Sequence, residues 1–88
     1  MRGFCVLWMF YTYILYSESH DSFYIGQTDN LDRRIEEHNL GLTKSTLGKR
    51  PWKVVYHEEF ELRSEAMSRE IFLKKQRNKS FYKRISGL

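Results

Sequence analysis

One cysteine, Cys5, is too few for an intramolecular disulfide, and a lone thiol with three scattered histidines does not supply the ligand set of a tetrahedral zinc site. A reducing, cytoplasmic setting is therefore expected. Long apolar runs are also missing. The uncharged stretch at residues 3–17 is too short to span a bilayer, carries a strand-like pattern with Tyr and Thr, and lacks the small-residue cleavage site of a secretory signal. With one proline and five glycines there is no low-complexity tract, internal repeat or interdomain linker.

What is present fits one folded unit. Eighty-eight residues leave room for a single core, and 41% hydrophobic with 16% aromatic residues excludes a disordered chain. Fifteen Lys and Arg against eleven Asp and Glu give a net charge of +4, which suits a polyanionic partner but is also common in ordinary soluble domains.

Residues 1–8 read as an N-terminal extension, with Met9 opening the domain at 9–88. Aromatic and β-branched residues at 10–16, turn residues at 17–22 and a second apolar run at 23–27 predict an antiparallel hairpin. Thr28 or Asp29 can cap a helix to Asn39 that Gly41 ends. A polar, basic stretch at 42–50 reads as an exposed loop into a strand at 52–60, with Pro51 at its entrance. Ser64 can cap a helix to Lys75, and a third helical segment follows at 78–85. The predicted class is α+β: a small three-stranded antiparallel sheet flanked by helices in the order β-β-α-β-α-α.

Two polar anomalies mark the helices. Leu31, Arg34, Ile35 and His38 share one face of the first, which puts a cation and an imidazole on the stripe that packs inward. Glu70 sits among Ala66, Met67, Ile71 and Leu73 on the second. The plain explanation is a snorkelling arginine, a hydrogen-bonded histidine and a buried ion pair, with Arg34 as a partner for Glu70; the functional one is a cation-binding carboxylate beside a phosphate site. Periodicity leaves both open. Tyr11 and Tyr13 share a face of the first strand, and Tyr24 can approach Tyr13 across the hairpin.

These residues resemble the GIY-YIG nuclease superfamily over residues 10–85. The first signature element stands here as Tyr11-Thr12-Tyr13 and the second as Phe23-Tyr24-Ile25-Gly26. Arg34, His38 and Glu70 follow at the family's places, and His38-Asn39 with Arg50-Pro51-Trp52 resembles the small stand-alone bacterial branch. Tyr11 replaces the usual first glycine, and Asn78 comes earlier than the asparagine many members carry after the acidic helix.

The resemblance implies a GIY-YIG endonuclease-like fold and phosphodiester hydrolysis, in DNA rather than RNA, for repair or processing. It assigns Tyr13, Tyr24, Arg34, His38 and Glu70 to the reaction, with Glu70 as the one protein ligand of Mg²⁺ or Mn²⁺. Lys44, Lys49, Arg50, Lys74, Lys75, Arg77 and Lys79 are candidates for holding a nucleic-acid backbone, against a plain reading as solvated surface. A protein partner is a candidate source of specificity for so small a domain. Two other classes compete: a nucleic-acid-binding module that cuts nothing, and a protein-interaction domain with a structural ion-pair network.

Overall fold

The aromatic and β-branched run after Met9 forms the middle of a sheet. In a computed structural model of the chain, which describes residues 8–88, β1 (Phe10–Ser17) pairs antiparallel with β2 (Ser22–Thr28) on one side and with β3 (Lys53–Phe60) on the other, giving the order β2-β1-β3. Helices α1 (Leu31–Asn39), α2 (Arg63–Gln76) and α3 (Lys79–Ser86) complete the predicted order. The extension assigned to residues 1–8 lies, apart from the exposed Trp8, outside the described residues. Among those described, no helix is long and apolar enough to cross a membrane.

Alternation along β1 divides the core into two layers, because successive side chains of a strand point to opposite faces. Ile14 packs with Ile25, Leu73 and Tyr82 on the side of α2 and α3. Tyr13 and Leu15 pack on the other face with Trp52, Tyr24, and Leu31 and Ile35 of α1. Residues 12 to 15 are all buried, as a strand covered on both faces requires. Thr12 fits the α2 layer because its Oγ1 donates to the Ala66 carbonyl at 2.7 Å.

The caps differ in detail from those expected. Asn30, not Thr28 or Asp29, caps α1, its Oδ1 accepting from the Arg33 amide at 3.0 Å, while Thr28 accepts from the Asn30 amide one step earlier. α2 starts at Arg63, so Ser64 lies inside its first turn rather than at its cap. Asn78 caps α3 by accepting from the Phe81 amide at 3.1 Å.

The largest difference is at 42–50. The expected exposed loop contains a 3-10 helix over Lys44–Lys49 that buries Thr46 completely. It is anchored because Asn39 offers both halves of its amide to the Trp52 backbone, Nδ2 donating to the carbonyl at 2.9 Å and Oδ1 accepting from the amide at 2.6 Å. The Trp52 indole N–H then donates to the Thr46 carbonyl at 2.8 Å.

Candidate functional site

The register of β1 against β2 sets Tyr13 directly opposite Gly26. A side chain at 26 would occupy the space of the phenol: a Cβ there would stand 2.5 Å from the Tyr13 hydroxyl and 2.7 Å from Cζ. The glycine thus lets the Tyr13 ring lie across the neighbouring strand. Tyr24, two residues along β2 on the same face, is the diagonal neighbour of Tyr13 rather than its cross-strand partner, which for Tyr24 is Leu15.

α1 contributes from above this face. His38 is wholly buried, its Nε2 3.1 Å from the Tyr13 hydroxyl and its ring edge-on to Tyr24 with centroids 5.0 Å apart. Its Nδ1 lies 2.8 Å from Oγ1 of Thr46. Sequence reasoning missed Thr46, since a threonine in a polar basic stretch carries no pattern that marks it as buried. Arg34 sits one turn before His38 and binds Glu37 through Nη1 at 2.9 Å.

Glu70 comes from α2, and its half-buried carboxylate is held by Lys74 at 2.9 Å. The ion pair envisaged between Glu70 and Arg34 does not form: each takes a partner on its own helix, Lys74 at i+4 and Glu37 at i+3. The apolar surround of Glu70 is also thinner than its spacing predicted. Ala66 and Leu73 are buried, but Met67 and Ile71 are exposed.

The electrostatics follow from burial. Desolvation pushes the Tyr13 phenol up to about 12; the neighbouring Arg34 cation opposes this, and the nearby Tyr24 and Glu70 add to it. Burial pulls the His38 imidazole down to about 4, reinforced by the Arg34 cation and opposed by Glu37. Both groups are therefore neutral at pH 7. The unfolded imidazole takes up a proton near 6.5, whereas the folded one resists until about 4. Stability is fully present above pH 6.5 and falls as pH drops through this window, by on the order of 3 kcal/mol. Urea unfolding at pH 7 and pH 4.5 should show this loss in the wild type and a smaller one in His38→Gln; equal losses would contradict it.

The basic candidates are dispersed in their roles. Arg50 is exposed and lies along its own segment, donating from Nε to the Leu47 carbonyl at 2.9 Å and from Nη1 to the Asn39 carbonyl at 3.5 Å. Lys49 donates to Ser22 Oγ at 3.2 Å, tying the 3-10 segment to the hairpin. Lys74 belongs to Glu70, and Lys79 reaches Asp21 at 3.5 Å beside Lys83 at 3.4 Å. Arg77 closes α2 in the left-handed conformation, where its amide donates to the Tyr82 hydroxyl at 3.1 Å. Lys44 and Lys75 are exposed.

The chemistry of the donor set bears on which cation fits. Among the described residues no three His, Cys, Asp or Glu side chains gather into a metal-binding group. Glu70 is a half-buried carboxylate already in contact with a cation, as are Glu37 and Glu58, and none of them belongs to a cluster of ligands. That suits a hard divalent ion that keeps most of its water, such as Mg²⁺, and not one that demands an enclosing cage.

Comparison with known proteins bears on the family and the fold. The model of the GIY-YIG catalytic domain matches residues 9–84. A UPF0213 protein of Clostridium perfringens is 48% identical over 68 residues, 76% of this chain and 72% of its own length. A UPF0213 protein of Listeria monocytogenes is 45% identical over 67 residues, covering 73% and 75%. The solution NMR structure of a UPF0213 protein from Bacillus halodurans superposes with a TM-score of 0.54 at 33% identity, over 89% of this chain and 83% of that one. With the family's model spanning nearly the whole chain, and with Tyr13, Tyr24, Arg34, His38 and Glu70 on the elements described above, this protein belongs to the GIY-YIG family, a family of nucleases.

Proposed function

We propose that the protein is a divalent-metal-dependent endonuclease that hydrolyses phosphodiester bonds in DNA. The observation that carries this reading is the buried pair of Tyr13 hydroxyl and His38 Nε2 at 3.1 Å, with the Arg34 cation acting on both groups and the Glu70 carboxylate close enough to bear on the phenol.

In the reaction, the oxygen of water attacks phosphorus and the bond to the leaving oxygen breaks, that oxygen keeping the electron pair and taking a proton from solvent. Tyr13 takes the proton of the attacking water as it passes its own to His38 Nε2. With the phenol near 12 and the imidazole near 4, that transfer is uphill in the free domain. It therefore proceeds together with attack rather than before it. Arg34 neutralises charge gathering on the non-bridging oxygens, and Tyr24, half-buried beside His38, orients the water or phosphate. Glu70 would hold a Mg²⁺ or Mn²⁺ ion, which supplies Lewis-acid polarisation of the phosphate when bound. Exposed Lys44 and Lys75 are available to the backbone of the nucleic acid, and Lys74 becomes so when Glu70 takes a metal.

The test is a labelled panel of duplex, branched and single-stranded DNA and of RNA with Mg²⁺, cut by wild type and by Glu70→Ala. Wild type is expected to cut DNA, and the variant to bind without cutting. Binding by wild type with no cleavage of any substrate would leave a nucleic-acid-binding module instead.

A further inference from the structure

Thr46 and His38 are both completely buried, so the hydrogen between them is fixed by the protein and not exchanged for water. A threonine hydroxyl has one hydrogen to give. In this site Oγ1 of Thr46 lies 3.3 Å from the Thr43 carbonyl, which can only accept and also takes the Thr46 amide at 3.2 Å, and 2.8 Å from His38 Nδ1. With its hydrogen on the carbonyl, the Thr46 oxygen is an acceptor toward the ring and Nδ1 carries the proton; the choice between this and the reverse arrangement falls to the other ring nitrogen.

The other end of the chain of bonds leads to the same tautomer. Tyr13 is 1% exposed, and among the described residues the one hydrogen-bond acceptor for its hydroxyl is His38 Nε2, since the neighbouring Arg34 guanidinium can only donate. If Nε2 held the hydrogen, it would donate to the phenol oxygen and the buried Tyr13 hydrogen would be left without an acceptor, a cost of roughly 1–3 kcal/mol. Nε2 must therefore be bare. The Thr46 end accommodates this tautomer and the Tyr13 end selects it.

We propose that Thr46 is a positioning residue: it holds His38 in the Nδ1–H tautomer, so that Nε2 is kept free to accept the Tyr13 proton. The Trp52 indole N–H on the Thr46 carbonyl and the Asn39 amide on the Trp52 backbone hold Thr46 in place. The rest of the 3-10 segment serves to present this one oxygen to the imidazole. The catalytic consequence rests on the nuclease reading, whereas the tautomer does not.

The test starts with the wild-type full chain labelled with ¹⁵N. Long-range ¹H–¹⁵N correlation at pH 7 should show His38 protonated on Nδ1 and bare on Nε2. A ring protonated on Nε2 would overturn the proposal without need of a variant. Thr46→Val keeps the branched shape but removes the acceptor, and is expected to give mixed tautomers. Its turnover should fall by about 10- to 100-fold at unchanged substrate affinity. Thr46→Ser should restore both the tautomer and the rate to within a few-fold. A Val variant with the wild-type tautomer and rate also overturns the proposal. If the ring is protonated on Nδ1 in the wild type and mixed in Thr46→Val while the wild type cuts nothing, the positioning of His38 stands and the nuclease reading falls.

Discussion

Tyr13→Phe is expected to slow single-turnover cleavage by about 10²- to 10⁴-fold, the range that a positioned proton-transfer group contributes. The variant is informative because it changes so little else. Phe keeps the ring lying over Gly26, the edge contact with His38 at 6.1 Å and the packing against Leu15 and Trp52. Only the hydroxyl is lost, and with it the hydrogen bond to Nε2. That leaves a buried acceptor without a partner, so stability should drop by roughly 1–3 kcal/mol. Rates are therefore to be compared well below the unfolding transition, with DNA affinity followed separately by fluorescence anisotropy. A variant that still cuts within a few-fold of wild type would remove Tyr13 from the chemistry and direct attention to Tyr24.

Gly26→Ala is expected to lower stability by roughly 1–3 kcal/mol and to reduce cleavage about as far as Tyr13→Phe does. A glycine inside a strand is ordinarily a weak point, and alanine there gains about 0.4–1 kcal/mol where its Cβ meets nothing. The sign reverses here because the new methyl would lie 2.5 Å from the Tyr13 hydroxyl. The ring, 1% exposed between β1 and α1, has nowhere to retreat. The phenol must shift, and the bond to His38 shifts with it. Gly48→Ala is the control: a Cβ there meets nothing within 4 Å, and that variant should keep both stability and activity. A Gly26→Ala protein as stable and as active as wild type would mean that Tyr13 does not sit as described.

Strand and helix order, the inward face of α1 and the anomalous polarity of His38 could all be read from the sequence, because each rests on local periodicity. Pairing between helices could not. Periodicity places Arg34 and Glu70 on the inner faces of their own helices but says nothing of which faces meet, and each found a nearer partner in Glu37 and Lys74. Thr46 was hidden for a different reason. Its burial depends on bonds to His38, Thr43 and the Trp52 indole that exist only once α1 and the entrance to β3 are docked. The basic residues show the same limit. Charge counts put Arg50 and Lys49 on a binding surface, whereas their geometry gives them internal hydrogen bonds as well.

The two-sided burial of β1 makes the address of the reacting group part of the address of the core. A slip of one position that set β1 the other way up against β2 would turn the phenol toward α2 and send Ile14 to meet the imidazole, exchanging an oily contact for a polar one on both faces at once. Among the described residues there are three strands and none to spare, so a pairing that preserves the packing also preserves the site. Errors of register should accordingly be corrected during folding and not stored as a folded, inert population.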